Sequence, residues 1–166
     1  MVSLPTAAQS GDRIAAFYAA HGQVIVIQQI VGAVDLAAFV LFALSLRPNR
    51  WLRPALWAFV AIELATNIVP LVIVVAAGSP DAAHRWTFVE DGADALFSIA
   101  IALFVAAATL AEPVWMRILG YAVAALNVLR GVGEPFGFTA LDAIAPIAFV
   151  AFVLVLAVKL LVRPPA

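Results

Sequence analysis

The chain has 166 residues, 66% of them hydrophobic and 11% charged, with a formal net charge of −1. A soluble domain carries nearer a quarter charged residues, so these charges are too few to cover a water-facing surface. No basic run is present to track phosphates, which argues against a nucleic-acid partner, and the lack of cysteine removes disulfides, thiolate catalysis and cysteine-held zinc or iron–sulfur clusters.

The mean hydropathy is +1.10, and the apolar residues fall in long blocks, as they do when lipid is the solvent. Residues 1–23 carry Asp12 and Arg13 but no compact basic start, so the segment reads as retained rather than as a signal peptide. Within it, residues 10–21 predict a short interfacial helix capped by Ser10. Ile14, Phe17 and Tyr18 would face lipid, and Asp12 and Arg13 water.

The first apolar block covers 24–46 and ends at Arg47, Arg50 and Arg53. The second covers 54–77 and is closed by Gly78, Ser79, Pro80 and Asp81, a sequence that favours a turn. The third covers 94–111. The fourth, 114–129, is the shortest and is bracketed by Arg117 and Arg130; it spans a bilayer if the arginines reach up to the head groups. A glycine-containing loop over 131–137 follows no strand, so it reads as a turn and not a phosphate loop. The fifth block covers 140–161.

The expected fold is therefore an all-α, polytopic transmembrane helical bundle over 24–162. It has five spans, or four if the fourth block does not cross, and is preceded by the interfacial helix and followed by a short cytoplasmic tail at 163–166. No internal repeat is visible. With five spans, Arg47, Arg50, Arg53, Arg117, Lys159 and Arg163 share one side, and Arg13, Arg85 and Arg130 the other. The positive-inside rule then puts the N-terminus outside and the C-terminus in the cytoplasm, in the plasma membrane.

Asp35 and Glu63 fall near the middles of the first two spans. An ionised carboxylate there costs on the order of 3 kcal/mol or more, so such residues face a bundle interior or a wet cavity. Gln28, Gly32 and Asp35 recur at helical spacing, as do Glu63 and Asn67. Two neighbouring helices could bring these faces together, with Gly32 allowing close approach. Two carboxyls side by side away from water do not both ionise; one of them could act as a general acid or simply bond helix to helix.

A second polar group comprises Asp94, Asn127, Arg130 and Asp142, with Glu134 in the loop. Arg130 is expected to pair with Asp94 or Asp142, and the two aspartates to sit at helix N-termini or to line the mouth of a cavity. His21 and His84 show no ligand spacing, so no metal or cofactor is expected. Pro70 and Pro146 are expected to kink spans two and five.

Phe17-Tyr18 with His21, the arginine-rich turn over 47–53 and the run Glu112-Pro113-Val114-Trp115-Met116-Arg117 together give a resemblance over most of the chain. It resembles a broad group of small bacterial membrane proteins with five or six spans and a domain of unknown function. The resemblance implies a fold and no catalytic residues.

Three functions are compatible with these residues. The first is binding of a small apolar or lipid-like molecule in an outward-opening polar pocket lined by Gln28, Asp35, Glu63 and Asn67. Glu63 or Asp35 would then serve as proton donor if an isoprenoid-like substrate is isomerised or cyclised. The second is an accessory subunit whose polar residues face membrane-protein partners. The third is a proton-coupled transporter or channel built as a homo-oligomer.

Overall fold

A backbone surrounded by hydrocarbon must satisfy its own hydrogen bonds, so apolar blocks of this length become helices. The computed structural model describes residues 4–136, 138 and 140–162. The tail expected at 163–166 and loop residue Gly137 lie outside the described residues. The helices are α1 (Gly11–Leu44), α2 (Leu52–Ala76), α3 (Pro80–Thr109), α4 (Val114–Gly133) and α5 (Ile144–Val162), with a 3₁₀ turn at Glu134–Phe136. Among the described residues there is no strand. The protein is all-helical, and α1, α2, α3 and α5 are each long and apolar enough to cross a membrane. In α4 the polar Arg117, Asn127 and Arg130 dilute the apolar content.

Helix α1 is continuous from residue 11, so residues 10–21 do not form a separate helix. Its inward seam is Tyr18, Gly22, Ile25, Gln29, Gly32, Leu36, Phe39 and Ala43, all buried or half-buried. The steps alternate between four and three residues, the spacing of a helix packed along its whole length. Ile14 and Tyr18 lead into this seam and are fully buried, not lipid-facing as expected. Helix α3 begins fourteen residues before Asp94, at Pro80. Pro80 occupies the first helical position, where its missing N–H costs nothing, and Ser79 Oγ accepts from Ala82 N–H at 3.4 Å.

The chain divides into two compact units. The first joins Met1–Ala38 to Ile62–Asp94, and the second joins Phe39–Ala61 to Ala95–Ala166. The core of the first comprises Ile14, Ala15, Tyr18, Ile25, Val69, Ile73 and Ala83. The segment ahead of α1 is clipped to α3 through both backbone groups of Ala7. Its N–H donates to Asp91 at 2.9 Å. Its carbonyl lies 3.0 Å from His84 Nε2; a carbonyl can only accept, so that nitrogen carries the hydrogen.

The second unit is centred on phenylalanine rings. Phe39 stacks on Phe59 with ring centres 4.5 Å apart and meets Phe104 edge-on at 4.9 Å. Phe97 and Phe149 complete the cluster. Asn49 anchors the arginine-rich loop: its Oδ1 accepts from Trp51 and Leu52 N–H at the start of α2, and its Nδ2 donates to Ala107 O at 2.9 Å. At the same end, Lys159 of α5 pairs with Glu112 of the α3–α4 turn. At the other end of this unit, Arg130 near the end of α4 meets Asp142 ahead of α5 and Ser98 of α3. Helix α4 therefore covers the same length of the unit as the segments beside it, antiparallel to both.

Candidate functional site

Glu63 sits on α2 with Thr66 and Asn67 one turn further along. The Asn67 amide has two hydrogens and uses both on Glu63: one on the backbone carbonyl at 2.8 Å, one on the carboxyl Oε1 at 3.1 Å. Thr66 Oγ1 lies 2.9 Å from the same carbonyl and 3.3 Å from Oε2. Its single hydrogen serves one of these at a time. Pro70 lacks the N–H that would bond the carbonyl of Thr66, so a helix acceptor is freed within this set. The carboxyl is thus oriented by its own helix and remains half-buried.

Asn67 is also where α2 meets α1. A Cβ added to Gly32 would run into Asn67 Oδ1, so the glycine makes room for the amide. This is the close approach the sequence suggested, and it puts Gly32, Glu63 and Asn67 in one unit at matching depth. Gln28 lies half-buried on α1, one turn from Gly32.

Asp35 does not join them. It is exposed, about 60° around the helix from Gly32 by the 3.6-residue period, on a flank with exposed Val31, Val34 and Ala38. Three residues from an inward position is close to it on a helix without being on the same side. No hydrogen bond or ion pair reaches Asp35 among the described residues.

The outer polar group is only partly as expected. Arg130 pairs with Asp142 through Nε at 3.5 Å and lies 3.9 Å from Glu134, while its Nη1 donates to Ser98 Oγ at 2.9 Å. Asp142 sits in the turn before α5, where a helix N-terminus favours a carboxylate. Asp94 does not open a helix, being well inside α3. Asn127 is fully buried on α4, with Nδ2 bonded to Val123 O at 2.9 Å and Oδ1 without a partner. Pro146 falls in the first turn of α5, where no intrahelical N–H bond is lost, so no kink is needed there.

The chain matches no protein-family model, no curated protein and no solved structure. Among the described residues no group of His, Asp and Glu has the arrangement of a metal site. His21 uses Nδ1 on Phe17 O at 2.9 Å and stacks on the Phe17 ring.

One polar pair escaped the sequence reading. Tyr18 donates its hydroxyl to Glu90 at 2.8 Å, and Glu90 is only 4% exposed. The signal was present in the start of α3. Once Ser79-Pro80 is read as a helix start, Ala83, Thr87, Glu90 and Asp94 fall on one face at steps of four, three and four. The same unit also carries a mostly apolar hollow of about 750 Å³ along residues 19–27 of α1, with Val74 of α2 on its wall.

Proposed function

We propose that the chain is a multi-pass protein of the cytoplasmic membrane that binds a small apolar or lipid-like molecule through its first unit, with Glu63 as the polar contact. The N-terminus faces out and the C-terminus faces the cytoplasm. This orientation is supported by Arg47, Arg50, Arg53, Arg117 and Lys159, which belong to the end of the second unit marked by the Asn49 and Glu112 contacts, as the positive-inside rule requires.

The observation that carries the reading is the Glu63 carboxyl: half-buried in the middle of an apolar helix, with Asn67 and Thr66 aimed at it. The hydrogen bonds to this carboxyl come from its own helix, and the half-buried side chain leaves part of it accessible to a molecule alongside. The open groove over 19–27 lies in the same unit, apart from Glu63, and could take the apolar part of such a molecule. His21 and Gln23 on its wall suit a ligand with an apolar body and a polar end. In a catalytic form of this reading, Glu63 gives a proton to an isoprenoid double bond. The carboxylate then takes a proton from the neighbouring carbon, which shifts the double bond while apolar walls keep water from the cation.

The test is photolabelling in liposomes with a long-chain prenol-like alcohol bearing a diazirine. Labelling is expected to saturate, to concentrate on residues 19–27 and around Glu63, and to fall at least fivefold in Ala20→Trp and in Glu63→Leu. Labelling that spreads evenly over Leu41, Leu103 and Ile147, or that ignores both substitutions, would mean ordinary annular lipid.

A further inference from the structure

Asp35 poses a problem that the small-molecule site does not answer. It lies near the centre of the first apolar block and is exposed, and the side chains around it on the same flank are Val31, Val34 and Ala38, all exposed as well. A carboxylate left there faces hydrocarbon, and such groups are found paired in finished membrane assemblies. Among the described residues it has no partner. The nine lysines and arginines include none between Arg13 and Arg47 or between Arg53 and Arg85.

A second copy does not supply one either. Two copies related by an axis along the membrane normal place every residue at its own depth. The nearest α1-side cations are then Arg47, about 18 Å along the helix axis, and Arg13, about 33 Å away. Across such an interface Asp35 would meet another Asp35. Charge complementarity at this depth calls for a different chain.

We propose that the α1 flank formed by Val31, Val34, Asp35 and Ala38 is the docking surface for a transmembrane helix of another protein that carries a lysine or arginine near mid-membrane. Ala38 beside the carboxylate lets a helix backbone come close, as small residues do at membrane interfaces. Val31 and Val34 supply apolar contact on either side. A lone cation in the partner's span is as costly as the lone acid in this one, so each chain removes the other's unpaired charge, and neither is matched by an uncharged helix. The surface therefore selects both a partner and its depth.

The experiment uses the full chain in liposomes with synthetic leucine-rich helices of about 20 residues, carrying either a central lysine or leucine throughout. Association is read by energy transfer from a single labelled cysteine introduced at Ser79, away from the flank. The lysine helix is expected to bind at least tenfold more tightly than the all-leucine helix. Asp35→Asn should erase that preference, and Asp35→Lys should transfer it to a helix with a central aspartate. Because Asp35 is exposed and unbonded, these variants should keep the helical content of the parent chain. Equal binding of the two peptides overturns the proposal. So does a lysine preference that survives Asp35→Asn, or a homodimer cross-linked through Ala38 that Asp35→Asn dissociates.

Discussion

Tyr18 and Glu90 hold each other where neither has water to fall back on. The hydroxyl gives the carboxyl its hydrogen bond at 2.8 Å, and both side chains are closed off by the first unit. Removing the donor alone leaves a buried acceptor unsatisfied, which costs more than the net worth of the bond. Tyr18→Phe should accordingly lower the unfolding free energy by about 1–3 kcal/mol, whereas Glu90→Gln, which can still accept from the phenol, should cost clearly less. Unfolding in mixed micelles by titration with denaturing detergent measures both. Equal losses would mean that packing of the ring, and not the hydrogen bond, holds this position. The residue scale is also where sequence reading was least complete. Asp35 and Glu63 were legible as costly groups from their depth alone, and Gly32 with Asn67 from helical spacing. Which way Asp35 points was not legible, because a residue one turn from the seam can fall on either side of it. Glu90 was missed for a different reason: it lies ahead of the third apolar block, in a stretch whose polar residues hide an interior helix face.

Helix α4 depends on close fit. Its neighbour α3 comes so close that a Cβ on Gly131 would stand 2.6 Å from the backbone oxygen of Ala95 and 3.0 Å from Ser98 Cβ, while one on Gly120 would strike the methyl of Thr109. The Thr109 methyl can move only by a χ1 change that disturbs its hydroxyl's bonds to Val105 and Ala106, whereas a helix carbonyl cannot retreat without moving the helix. Gly131→Ala should therefore destabilise the protein by about 1–3 kcal/mol, the usual range for overpacking, and more than Gly120→Ala does. Gly92 of α3 meets nothing within 4 Å, so Gly92→Ala should stabilise by about 0.5–1 kcal/mol through helix propensity alone. The ordering of these three variants in one unfolding series is the check. If Gly92→Ala loses as much as Gly131→Ala, the space argument fails. The end of α2 was readable from the turn chemistry of Gly78-Ser79-Pro80-Asp81, but the start of α3 at Pro80 was expected fourteen residues too late, because the polar residues after the turn dilute the apolar pattern. Boundaries were also misread at the N-terminus, where a polar stretch around His21 and Gln23 looks like a break but keeps the spacing of the seam it belongs to.

For the whole molecule the open choice between four and five spans turns on α4. Composition leaves it ambiguous, since its two arginines and a buried asparagine dilute an otherwise apolar helix of 20 residues. Geometry within the second unit argues for crossing. The start of α4 follows the turn where Glu112 pairs with Lys159 of α5, and its end carries Arg130 to Asp142 and Ser98. A 20-residue helix is about 30 Å long, which equals the hydrocarbon thickness. A helix so placed, antiparallel to two apolar neighbours within this unit, is expected to cross with them. The absence of cysteine makes the test direct: single cysteines at Pro48, Ser79, Ala111 and Ala140 can be probed in right-side-out vesicles with a maleimide that does not cross membranes. With five spans, Ser79→Cys and Ala140→Cys label from outside, while Pro48→Cys and Ala111→Cys label only after permeabilisation. With four, Ala111 and Ala140 would share a side, and both would stay protected. The arginines of α4 are compatible with the five-span outcome: a helix that crosses carries Arg117 and Arg130 to opposite head-group layers, and their separation of thirteen residues, about 20 Å along the axis, leaves each side chain only a few ångströms to reach.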